Sequence, residues 1–141
     1  IKQDGTIILG DFAFATHDKT TQLYCGTISY LAPEILRQIY IQKLKSITLT
    51  HEAEYWSLGI LFYTLFTKSA PFRGSNSQIV RQLSAGKFKP IPLTNLNEHQ
   101  KYIIKSLLIK DIDHRIHPKC IMEHLKHLEK TKERELNINM I

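Results

Sequence analysis

The side chains able to do chemistry in this chain fall in a fixed order. Asp11 heads Asp11-Phe12-Ala13. Thr27 closes Cys25-Gly26-Thr27, and Glu34 closes Tyr30-Leu31-Ala32-Pro33-Glu34. Glu54 then opens Glu54-Tyr55-Trp56-Ser57-Leu58-Gly59, and Arg115 ends Lys110-Asp111-Ile112-Asp113-His114-Arg115. An isolated Asp-Phe pair carries little information, and neither do a Glu and an Arg far apart in sequence. Seven histidines raise metal binding as a second chemistry. His114 and His117, then His124 and His127, are spaced so that each pair would share a helix face. The first pair precedes a helix and straddles Arg115, so the favoured reading is surface and capping histidines. Cys25 and Cys120 are too far apart for a metal or redox signature and do not suggest a disulfide framework.

Bulk properties narrow the classes. A length of 141 residues fits one domain with a real core, and 43% apolar with 23% charged residues is ordinary for a globular chain. Nineteen basic against thirteen acidic residues leave +6, which favours acidic partners. The basic residues are dispersed without aromatic interleaving, so no nucleic-acid partner is expected. The longest apolar run, Tyr55 to Phe66, is too short to span a bilayer and reads as a buried core helix. No signal peptide is evident, and the first residue is Ile rather than Met, which suggests a processed or partial chain.

The positioning elements follow from turn and cap residues. Asp4-Gly5 is a hairpin signal, with Thr6 to Leu9 as a β-branched strand and little before it to pair with. Gly10 to Tyr30 reads as loop. Pro33 opens a short helix to about Gln38, and 39–50 has no clear period. Glu52 to Thr67 reads as a helix apolar on nearly every side, and so buried on most sides. Ser75 or Ser77 can cap a helix running to Ala85, where Gly86 stops it, and Pro90 and Pro92 enforce an extended connector. Asn97 caps a helix to about Lys110, and Pro118 opens a last helix with Ile121, Met122, Leu125 and Leu128 on one face. The charged stretch 131–141 reads as a fraying tail. The fold class is mainly α: helices around one buried helix, with a remnant β-hairpin at the N-terminus.

In this order the motifs resemble the activation segment and C-terminal lobe of a eukaryotic Ser/Thr protein kinase. The Leu-Tyr-Cys-Gly-Thr wording is similar to the AGC group, which includes the ribosomal-subunit kinases. The resemblance covers 1–130 as a partial kinase domain, with the N-lobe and catalytic loop absent. It implies that Asp11 is a Mg²⁺ ligand, a role that suits a hard oxygen donor. It implies that Thr27 supports the catalytic Asp and lines the substrate site. Glu34 and Arg115 become a structural ion pair, and Glu54 and Trp56 mark the buried helix. The parent would use Mg²⁺ and ATP to phosphorylate a protein Ser or Thr. No cofactor is expected for the fragment alone, and its principal partner would be the missing N-lobe.

Several positions depart from the family. Ala13 replaces a glycine, and its Cβ would penalise positive φ. Glu54 replaces an Asp that bonds catalytic-loop amides. Leu23 occupies the usual phosphorylated position, with Thr20 and Thr21 out of register. His117 replaces a capping Ser or Thr. Between Glu34 and Glu54 lie 19 residues, more than most relatives have. A pseudokinase or scaffold that binds proteins without catalysis is therefore the alternative. Either reading predicts an intracellular protein, cytoplasmic or nuclear.

Overall fold

Thr50 starts the central helix. In extended backbone, its hydroxyl accepts the Ala53 N–H at 3.3 Å, and helix α2 runs His51–Thr67. Glu52 and Glu54 in the first turn suit the positive end of the helix dipole. The helix stops at Lys68, which is left-handed with φ 53°. The computed structural model describes residues 1–22, 26–84 and 92–138, with side chains to residue 130.

Around α2 the described elements are few. Strand β1 (Thr20–Thr21) pairs antiparallel with β2 (Ile47–Thr48), Thr20 opposite Thr48 and Thr21 opposite Ile47. Helix α1 (Pro33–Leu36) opens on proline and runs into a π-helical turn at Arg37–Ile41. Helix α3 spans Asn76–Ser84, α4 Glu98–Leu107 and α5 Pro118–Ile138. Short 3-10 turns lie at Ile28–Tyr30 and Ile112–His114.

Helix starts follow the capping rules. Ser75 and Gln78 exchange bonds, Ser75 N–H to Gln78 Oε1 at 2.8 Å and Gln78 N–H to Ser75 Oγ at 3.4 Å. Asn97 and Gln100 form the same reciprocal box at 3.1 and 2.9 Å. His117 does cap α5: its Nδ1 accepts the Lys119 N–H at 3.0 Å. The departure from Ser or Thr therefore keeps an acceptor at this position, because an imidazole nitrogen without a proton accepts as a hydroxyl does.

The core runs along one stripe of α2, where Ala53, Trp56, Gly59, Ile60 and Tyr63 are buried. Leu36, Leu83, Ile104 and Leu107 close over it from α1, α3 and α4. Gly59 lets α4 approach: a Cβ there would lie 2.7 Å from Leu108 Cδ2 and 2.9 Å from Leu107 Cβ. The opposite stripe is bare, with Leu61 43% and Leu65 61% exposed. Between the two stripes, Tyr55, Leu58 and Phe62 pack half-buried on a second cluster of Ile103, Leu107 and Ile121, so the burial on most sides that the sequence predicts is met except along the Leu61 and Leu65 stripe. The all-round apolar pattern calls for cover on that stripe too, which the described residues do not supply.

Four further expectations change. The N-terminal hairpin is present as its turn alone. Gly5 N–H bonds Lys2 O at 3.0 Å and Lys2 N–H bonds Thr6 O at 2.9 Å, yet Ile7 and Leu9 are 83% and 80% exposed. The two-stranded pair forms instead between 20–21 and 47–48. Helix α4 ends at Leu107 rather than near Lys110, because Arg115 Nε takes the Ile109 carbonyl at 2.9 Å and Ser106 O accepts from Ile116 N–H at 3.1 Å. Helix α5 continues to Ile138, into the stretch expected to fray. Met122 is 53% exposed, so the apolar face of α5 is carried by Ile121 with half-buried Leu125 and Leu128. Gly86 and Pro90 lie outside the described residues.

The segment 39–50 is built into the fold. Ile47 is 3% exposed, and Leu49 N–H bonds Lys19 O at 2.8 Å. Gln38 closes the other edge of β2: Thr48 N–H donates to its Oε1 at 2.7 Å, and its Nε2 donates to Thr48 O at 3.2 Å. One side-chain amide thus does the work of a neighbouring strand.

Candidate functional site

Thr27 and Glu54 line one cavity of about 540 Å³, together with Phe14, Tyr30, Ala32 and Ser57. Thr27 precedes the 3-10 turn, whose Tyr30 N–H bonds the Thr27 carbonyl at 2.9 Å. Gly26 before it has φ 108°, a conformation that favours glycine. Ser57 ties this turn to the central helix, since its hydroxyl lies 2.9 Å from Tyr30 O and 3.3 Å from Ala53 O. The site loop therefore takes its position from the central helix. The Thr27 and Glu54 side chains are exposed and make no hydrogen bond among the described residues. They can meet groups brought from outside.

Asp11 is not part of that cavity wall. It is exposed, with φ 63°, and makes no hydrogen bond or ion pair among the described residues. The left-handed conformation falls on Asp11, and Ala13 has no positive φ. The expected penalty at Ala13 therefore does not arise in this conformation. Among the described residues no three His, Cys, Asp or Glu side chains could together hold a metal. The exposed Asp11 carboxylate could offer Mg²⁺ one oxygen ligand, which would leave the remaining positions to water or phosphate.

Glu34 and Arg115 meet deep in the molecule. Arg115 Nη1 lies 2.7 Å from Glu34 Oε1 and Nη2 3.1 Å from Oε2. Nη1 also donates to Glu52 O at 2.6 Å. The guanidinium carbon sits 5.3 Å from the centre of the Trp56 ring, which stacks on Phe72 at 6.1 Å. One arginine thus joins α1, the start of α2 and the chain after α4.

The histidines do other things. His114 Nδ1 pairs with Asp111 Oδ2 at 3.0 Å, and the His124 ring lies 4.4 Å from Tyr102 and 5.5 Å from His99. Cys120 is exposed and free, while Leu23 and Cys25 lie outside the described residues. No helix among the described residues is long and apolar enough to cross a membrane. Sequence reasoning missed Ser57 and Gln38. A serine inside an apolar helix was the available signal for Ser57, because a buried hydroxyl needs a partner.

A helical lobe with an arginine-clamped Ala-Pro-Glu turn and a threonine loop anchored on its central helix is the architecture of a protein kinase C-terminal lobe. The chain matches the protein kinase domain over residues 1–127, and it belongs to that family. It is 34% identical over 116 residues to serine/threonine-protein kinase AtPK1/AtPK6 of Arabidopsis thaliana, covering 80% of this chain and 23% of that protein. Calcium-dependent protein kinase 4 of Plasmodium falciparum is 30% identical over 145 residues, 99% of this chain and 26% of its own length. Ribosomal protein S6 kinase alpha-1 of Rattus norvegicus is 35% identical over 81 residues, 54% of this chain and 10% of that protein. The chain thus spans between 10% and 26% of the length of these relatives. All three are named as kinases, the Arabidopsis protein as a serine/threonine-protein kinase and the rat protein as an S6 kinase.

Proposed function

We infer that this chain is the activation segment and C-lobe of a Ser/Thr kinase whose complete form transfers the ATP γ-phosphoryl group to a protein hydroxyl. The observation that carries the reading is the Thr27 hydroxyl, free among the described residues and held at a cavity wall through the Ser57 bond to Tyr30. In that role Thr27 supports the catalytic Asp and lines the acceptor site. Glu54 lines the same cavity and would accept from catalytic-loop amides in the complete domain. Asp11 would hold Mg²⁺, and Mg²⁺ with ATP supplies charge neutralisation on the phosphates. The bare stripe of Leu61 and Leu65 would be covered by the rest of the kinase domain. Such a protein would act in the cytoplasm or nucleus.

The test is to recover the complete reading frame and assay it with Mg·ATP and protein substrates. Transfer to Ser or Thr is expected, abolished in Asp11→Asn and strongly reduced in Thr27→Ala. Wild-type turnover in Asp11→Asn would end the metal assignment. A complete protein that binds partners but transfers no phosphate would be a pseudokinase or scaffold. The 141-residue chain alone should show no steady transfer, because positioning supplies most of the catalysis and its groups lie elsewhere. Steady ATP-dependent labelling by the purified chain would refute that.

A further inference from the structure

A second and larger hollow, of about 990 Å³, lies between the π-helical turn and α3. Ile28, Tyr40, Ile41 and Val80 give it an apolar lining, and Arg37 and Arg81 stand in the same wall. Tyr40 and Ile41 are 42% and 61% exposed, so apolar surface faces water there. Its position is set by the π turn, in which the Gln42 N–H reaches back to the Arg37 carbonyl at 2.9 Å. Such turns are uncommon and are often found at functional sites.

The charges decide what fits. No Asp or Glu lines the hollow. Arg37 and Arg81 are exposed and make no ion pair among the described residues. Two guanidinium groups beside an apolar floor favour carboxylates that flank a large apolar side chain, and they repel cations. Single-stranded nucleic acid fits poorly, because the lining offers one aromatic ring, Tyr40, for base stacking.

We propose that this hollow docks a segment of a partner protein that carries Phe or Leu flanked by Asp and Glu. Ile28 is the residue after Thr27, so the docked segment would sit beside the loop that presents Thr27. The proposal needs no phosphoryl transfer, so it stands or falls separately from the kinase reading.

The experiment is fluorescence anisotropy with the 141-residue chain. One probe is a labelled synthetic peptide with a Phe-Leu centre and two Glu or Asp on each side. A second has the same centre between lysines. The acidic peptide should bind saturably, at least about tenfold tighter than the lysine peptide, and should weaken with added salt. Arg37→Glu/Arg81→Glu should lower its affinity by about tenfold or more, and Ile41→Asp should do the same. Lys126→Glu/Lys130→Glu on α5 makes the same change in net charge away from the hollow and should have little effect. Circular dichroism shows that each variant is folded. Equal affinity for the two peptides would overturn the proposal, and so would indifference to the arginine reversals or an equal loss in the lysine control. Absence of peptide binding, with a dimer that Ile41→Asp abolishes, would assign the face to a second copy of the chain instead.

Discussion

Arg115 grips Glu34 through two bonds, 2.7 and 3.1 Å, with its own side chain fully buried and that of Glu34 16% exposed. The same guanidinium group satisfies the Glu52 and Ile109 carbonyls. Its removal leaves a carboxylate and two carbonyls short of a donor. Arg115→Ala should therefore destabilise the chain by about 3–5 kcal/mol. Arg115→Lys keeps the charge but lacks the planar fork, so it should also lose stability. Urea unfolding followed by circular dichroism measures both. A midpoint unchanged in Arg115→Ala would contradict the structural role.

Gly59 reverses an ordinary rule. Inside an exposed helix, Gly to Ala gains about 0.5–1 kcal/mol. Here the new Cβ would fall within 2.9 Å of Leu107 Cβ, next to the α4 backbone, and within 2.7 Å of Leu108. Gly59→Ala should instead cost about 1–3 kcal/mol. Adding Leu108→Ala should recover part of that loss relative to the sum of the two single changes. A stabilised Gly59→Ala would show that α2 and α4 lie farther apart.

The parts of this fold that were legible in the sequence rest on short-range chemistry. Thr50, Asn97 and Pro33 mark helix starts because each satisfies or avoids a backbone donor locally. The Glu34–Arg115 pair was legible only through the order of the motifs, since nothing local joins residues so far apart. The segment 39–50 was illegible for a related reason. Its strand exists because Lys19 and Gln38 bond it from both sides, and neither partner leaves a periodic trace. Helix α2 was legible as a helix, but its covering was not. An all-round apolar pattern states that both faces need cover without stating which residues provide it.

Asp111 gives a pH signature. The hydrogen bond from His114, and then the Asp113 backbone N–H, hold its carboxyl below the usual carboxylate range. The folded state therefore favours the charged form. This contribution is present above the unfolded value of about 3.9, and it is lost as pH falls through the lower folded value. Carbon-detected NMR should give an Asp111 midpoint below that of Asp in an unfolded peptide. His114→Ala should move it back upward. An unshifted midpoint, or no response to His114→Ala, would remove the link.

Ser57 offers the most direct test of how the central helix positions the site loop. Its hydroxyl joins α2 to the turn that follows Thr27, donating to Tyr30 O at 2.9 Å. Ser57→Ala removes that bond with little change in volume, so the stability loss should be about 0.5–1.5 kcal/mol. The local effect should be clearer than the global one. Hydrogen exchange at Tyr30 N–H, which bonds Thr27 O at 2.9 Å, should quicken while that of Ile60 on α2 stays near the global rate. In a complete kinase carrying these residues, a loosened Thr27 loop should raise KM for the protein acceptor while leaving KM for ATP nearly unchanged. Ser57→Thr restores the hydroxyl and should rescue both readouts. Equal quickening throughout the chain would mean that Ser57 serves general stability and does not hold this loop.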